Sequence, residues 1–287
     1  MRAPRRALPC APAAPSPVPP MLLRSLLTAL LALLPARADT PPPPAPAPFA
    51  PVVQELGGAR INWTELRLEA TTHSEMTVGA WKDRRVQEQD ALERVGPLIE
   101  ELARRLAVTR GDALYAVLRA DDPLAARLED GMRNWEVTET RYLGKGGVEM
   151  TASLQIGRWL QPLLEQVTGP VAEQLPADGT TGLVIDARGL RFDPALVPEL
   201  RTADPEPKVL VGLDMFGKDD GQHATPVVYV SDPADPRAIK RAGPKPIFVR
   251  ATAAGPGVLT IGAALPRGPA DLALLIAARR VVVVADP

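Results

Sequence analysis

The chain is nearly without cysteine. Of its 287 residues only Cys10 carries a thiol. It precedes an apolar leader-like run, whereas an acylated lipoprotein cysteine follows one. No lipobox is therefore expected. A product cleaved after that run would hold no cysteine, which excludes disulfides, thiolate metal sites and a cysteine nucleophile. Histidine is almost as scarce, with His73 and His223 alone. No H-x-x-x-H or H-E-x-x-H spacing links them. Aromatic residues make up 4% of the chain, too few for a base-stacking sheet. No long apolar run exists either. Residues 25–34 reach about half of the roughly 20 residues that span a bilayer. No G-x-S-x-G elbow, G-x-G-x-x-G turn or P-loop spacing occurs, so no cofactor is expected. Residues 144–147 (Gly-Lys-Gly-Gly) lack the P-loop spacing and read as a hairpin turn.

What is present begins with the leader. Met21, Leu22, Leu23 and Arg24 precede the apolar run, and Ala36-Arg37-Ala38 supplies an A-x-A cleavage site. Met21 is the start codon, or the signal has a long n-region. Residues 1–38 are expected to be a signal peptide. Removing its five arginines leaves 28 basic residues against 34 acidic ones, a formal charge of −6. Nucleic acid is a poor partner for such a chain. Residues 39–56 are mostly Pro and Ala at their start and read as a spacer.

Two folded units are expected after it, residues 57–175 and 180–287. The expected class is α+β: a long helix on a small antiparallel sheet, then a second mixed α/β unit. In the first unit residues 59–72 read as one strand whose alternation slips near Glu65, the mark of a bulge. Residues 81–107 repeat apolar side chains at three- and four-residue steps, a helix that Pro97 should kink or divide. Residues 112–119 and 123–133 look like short helices or turns. Residues 135–143 and 148–157 form a hairpin, and Val148, Met150, Ala152, Leu154 and Ile156 alternate strictly. A short helix over 158–167 closes the unit. In the second unit strands are expected over 182–188, 208–212, 226–231, 246–252 and 281–285, with helices over 235–241 and 269–279. Val281 to Val284 are apolar on both pleat faces, which predicts an interior strand.

The candidate binding residues are Asp186 and Arg188. Two apart on a strand, they point to one side. They are a charged pair at a groove between the units, or a plain strand-end ion pair before Gly189. The acidic pairs Asp121-Asp122, Asp219-Asp220 and Asp232 with Asp235 lack the calcium-loop pattern and read as turns and caps.

The strand at residues 61–70, the charged helix with Asp90-Ala91-Leu92-Glu93 and the 135–157 hairpin resemble the bacterial twenty-kilodalton membrane-associated lipoprotein family and the flagellar assembly protein T and flagellar protein P group. The stretch Thr181 to Leu190, Pro194-Ala195-Leu196, residues 242–247 and 280–284 are similar to the longer exported members. The resemblance implies an envelope location, non-enzymatic assembly work and no catalytic residues. The expected function is that of an exported periplasmic or envelope accessory protein. Its partners would be envelope proteins or a second copy of the chain. The alternative is an exported hydrolase, with a site assembled from scattered carboxylates or from His73 and His223. A solute-binding module using the inter-unit cleft is a third reading.

Overall fold

The computed structural model describes residues 49–74, 83–110, 112–114, 116, 123–144, 147–160, 173–203, 227–262 and 268–287. The leader, Trp81, His223, Asp121, Asp122, Asp219, Asp220 and the strand expected over 208–212 lie outside them, as does most of the 158–167 helix.

The protein is α+β. Its first sheet is a five-stranded antiparallel layer built from β1 (Val53–Leu56), β2 (Ala59–Asn62), β3 (Arg67–His73), β6 (Glu136–Tyr142) and β7 (Val148–Gln155), in the order β1-β2-β3-β7-β6. The alternation of β7 places Val148, Met150, Ala152 and Leu154 in the core. The long helix α1 (Arg84–Arg104) packs on β3 and β7, burying Ala91, Val95, Ile99, Leu102 and Ala103. Asp83 caps its start by accepting from the Arg85 amide. Pro97 does not divide it. The helix runs through as one element. Pro97 lies on its exposed side, where water can take the carbonyl its ring leaves unbonded.

The slip near Glu65 is a hairpin turn rather than a bulge. Asn62 Oδ1 accepts from the Glu65 amide at 3.0 Å, and Leu66 takes φ 52°. The chain therefore folds back, and β2 pairs antiparallel with β3. β1 lies within the stretch expected to be spacer. Residues 112–113 form a strand, not a helix. They are β5 (Asp112–Ala113), paired with β4 (Ala107–Thr109). Two further helices follow, α2 (Pro123–Met132) and the short α3 (Ile156–Trp159).

The second sheet has six strands: β8 (Gly182–Asp186), β9 (Glu199–Thr202), β10 (Val227–Val230), β11 (Pro246–Gly255), β12 (Val258–Ile261) and β13 (Val281–Val284). Their order is β10-β13-β8-β11-β12-β9. β11 and β12 are antiparallel and every other pair is parallel. β13 is interior, as four consecutive valines predict. Val281 and Val283 join the main core, while Val282 and Val284 join a second cluster under α4 (Pro236–Ala242). The opposite face carries α5 (Pro269–Ala277), whose Leu272, Leu275 and Ile276 are buried. Gly182 lets α4 lie directly on β8. A Cβ there would sit 2.3 Å from the Ala242 carbonyl oxygen.

Residues 48–287 form one compact unit with a continuous main core. Trp63 meets Tyr229 edge to face at 5.7 Å. The Leu196 and Val197 amides donate to the Ala107 and Val108 carbonyls at 3.0 and 2.8 Å. Among the described residues, no helix is long and apolar enough to cross a membrane.

Candidate functional site

In a sheet with parallel strands, ligands tend to bind beyond the carboxyl ends, where the strand order reverses. β8 lies in the parallel part of the sheet, between β13 and β11, and the chain leaves its carboxyl end for β9 at the sheet's far edge. Asp186 ends β8, beside Arg250 of β11 and Val284 of β13 in the register.

The Asp186 carboxylate is engaged by its own loop. Arg188 Nε and Nη2 donate to its two oxygens, each at 2.9 Å, and the Arg188 amide donates at 3.1 Å. The Arg188 side-chain hydrogen bonds hold the Asp186 carboxyl below the usual carboxylate range, against a smaller opposing effect of burial. The same contacts raise the Arg188 guanidinium, with Asp232 and Asp286 adding to the field. Gly189, at φ 78°, turns the chain. Its amide donates to Asp286 Oδ2 at 2.8 Å.

Next to this loop lies a cavity of about 130 Å³. Val52, just before β1, and Gln54 of β1 face Leu190, Phe192, Asp193 and Asp286 of the second half across it. Phe192 is also 6.0 Å from Tyr229, whose buried hydroxyl donates to the Ala195 carbonyl at 2.6 Å. Burial raises that phenol well above its ordinary value. The lining mixes apolar side chains with the Gln54 amide and the Asp193 and Asp286 carboxylates. The chemistry that fits is binding of a small group. The Ser231 hydroxyl donates to the Ala50 carbonyl. Phe192, Asp193 and Asp286 were not singled out from the sequence, because they come together only through the fold. Asp286, just past the Val281 to Val284 run, is the one that strand-end reasoning could have found.

The other candidates lie elsewhere. His73 ends β3 on the first sheet, is 59% exposed, and has Nδ1 3.6 Å from Glu149. His223 is outside the described residues. Asp232 accepts from the Ala234 amide at 2.7 Å, a turn role. Asp235 caps α4, accepting from the Arg237 amide at 2.8 Å and from its guanidinium. Burial alone would raise the Asp235 carboxyl, but the Arg237 hydrogen bonds outweigh it and the net shift is downward. Among the described residues, no three His, Cys, Asp or Glu side chains gather as a metal site would.

Two open grooves flank the first sheet. One, of about 380 Å³, crosses its outer face over Arg60, Glu69, Arg141, Glu149 and Thr151. Its charges are paired: Arg60 with Glu69 at 2.6 Å and Arg141 with Glu149 at 3.0 Å. The other, of about 320 Å³, runs between α1 and β6, over Glu88, Leu92, Thr140, Tyr142 and Met150.

Residues 182–259 match the family model of the Treponema pallidum Tp0624 second domain. The match opens on the first residue of β8 and ends in β12. It covers just over a quarter of the chain, so it describes this segment and not the whole. No curated protein matches the chain.

Proposed function

We propose that the protein is an exported accessory protein of the periplasm or cell envelope that acts through protein contacts. The observation that carries the contact reading is where exposed apolar side chains gather. Val137 (40% exposed) and Tyr142 (48%) are on β6, Leu143 (37%) follows it, and Val86 of α1 is exposed as well. Apolar side chains collected on one strip of surface suit a protein partner. At the other candidate, Asp186 and Arg188 are already bonded to each other. The leader at residues 21–38 supports export, and the proposed family resemblance agrees with an envelope role.

Fractionation of the producing cells, with N-terminal sequencing, tests the reading. The expected product begins at Asp39 and is found with the envelope or periplasm. Full-length protein confined to the cytoplasm would overturn it. The hydrolase reading draws on the His73 and Glu149 pair. Loss of a hydrolytic activity in a His73→Ala variant would be its signature.

A further inference from the structure

Among the described residues β6 is an edge strand, and all seven of its residues are exposed. α1 covers β3 and β7, which leaves the 320 Å³ groove open beside β6. The pairing with β7 fixes which side each residue takes. Thr140 and Tyr142 lie opposite Met150 and Val148, on the helix side. Glu139 and Arg141 lie opposite Thr151 and Glu149, on the outer side.

An unpaired edge invites another strand. The charges on β6, and its bulge between Val137 and Glu139, discourage most partners. One partner turns the charges from an obstacle into a match. If a second β6 lies antiparallel, centred on Thr140, each Glu139 stands opposite the Arg141 of the other copy. Both pairs fall on the outer face. The two Thr140 residues face each other on the helix side, and each Tyr142 falls opposite the other copy's bulge, beside Val137. The register is self-complementary, as a two-fold interface requires.

We propose that β6 is the interface of a symmetric homodimer, in which two five-stranded sheets join edge to edge into one antiparallel layer. This names a partner within the protein-contact reading and rests on it only for the kind of function. The experiment below reads self-association alone, so it can fail while export and envelope contacts stand. An edge-strand interface is small, so the dimer should dissociate in the micromolar range, about 1–100 µM.

The test uses full chains in which Cys10→Ala removes the native thiol. In sedimentation, wild type should pass from monomer to dimer across that range. E139R places two guanidiniums opposite two others, and R141E places carboxylates opposite carboxylates. Each variant alone should associate about tenfold more weakly or worse. An equimolar mixture of the two should recover the dimer, because their charges are then opposite. Thr140→Cys should form a disulfide-linked dimer under mild oxidation. Cross-strand Cα separations of ~4.5–5.5 Å lie within the ~4.4–6.8 Å that a disulfide accepts. Thr138→Cys, which does not face itself, should not. A wild type that stays monomeric to several hundred micromolar would overturn the proposal. So would E139R and R141E variants that dimerise as well alone as mixed.

Discussion

Gly182 sets how closely α4 can approach β8. An added Cβ would meet the Ala242 carbonyl oxygen at 2.3 Å and its Cα at 2.5 Å. Both are backbone atoms, so the helix itself must move. Gly182→Ala should cost about 1–3 kcal/mol, as overpacking does, read from denaturant unfolding. Tyr229→Phe removes the donor to the Ala195 carbonyl. A buried acceptor left unpaired costs about 1–3 kcal/mol, and the same measurement checks it. Asp186 gives a pH dependence. Its carboxyl is held below its ordinary value by Arg188, so the stabilisation is present above the unfolded carboxylate value of about 3.9. It is lost as pH falls through the lower folded value. Asp186→Asn should therefore be less stable than wild type at neutral pH, and the gap should close below about pH 4. A gap that widened in acid would contradict the assigned bond. The pair was legible as a strand-end ion pair before Gly189, but its geometry was not. The strand expected over 182–188 stops at Asp186, and Arg188 lies in the turn beyond it, where its amide and guanidinium reach back to the carboxylate. Nor was the cavity beside it legible. Val52 and Asp286 meet only after both sheets have formed.

At the scale of elements, local signals were read where they were strong. Four valines in a row placed β13 in the sheet interior. The Asp235-Pro236 step marked the start of α4, and Asp235→Ala should cost about 1 kcal/mol by removing the cap, measured by thermal or urea unfolding. Weak local signals misled. The slip at Glu65 came from an Asn62 turn whose hydrogen bond no periodicity records. Pro97 was tolerated because it faces solvent, which depends on where the sheet lies. β9, with a glutamate and an arginine among its four residues, has no strand signature of its own. It exists because β12 pairs with it. The exposure of β6 was equally hidden. Val137 is apolar, and it is left exposed because α1 packs on β3 and β7.

At the scale of the whole molecule, the two sheets share one core. All four tryptophans lie in the first half of the fold's sequence, from Trp63 to Trp159, while far-UV ellipticity reports on both sheets. If residues 48–287 unfold as one unit, fluorescence and ellipticity should give coincident transitions. Two separated midpoints would mean that the halves unfold independently.

In the proposed dimer, β6 is a working surface that a second copy covers. Amide hydrogen exchange of native protein at low and high concentration addresses it most directly. The outward amides of β6 should exchange rapidly at concentrations well below dissociation. Their protection should rise with concentration in residues 136–142, while β3 and β13 stay unchanged. Exchange in β6 that is equally fast at every concentration would contradict the account.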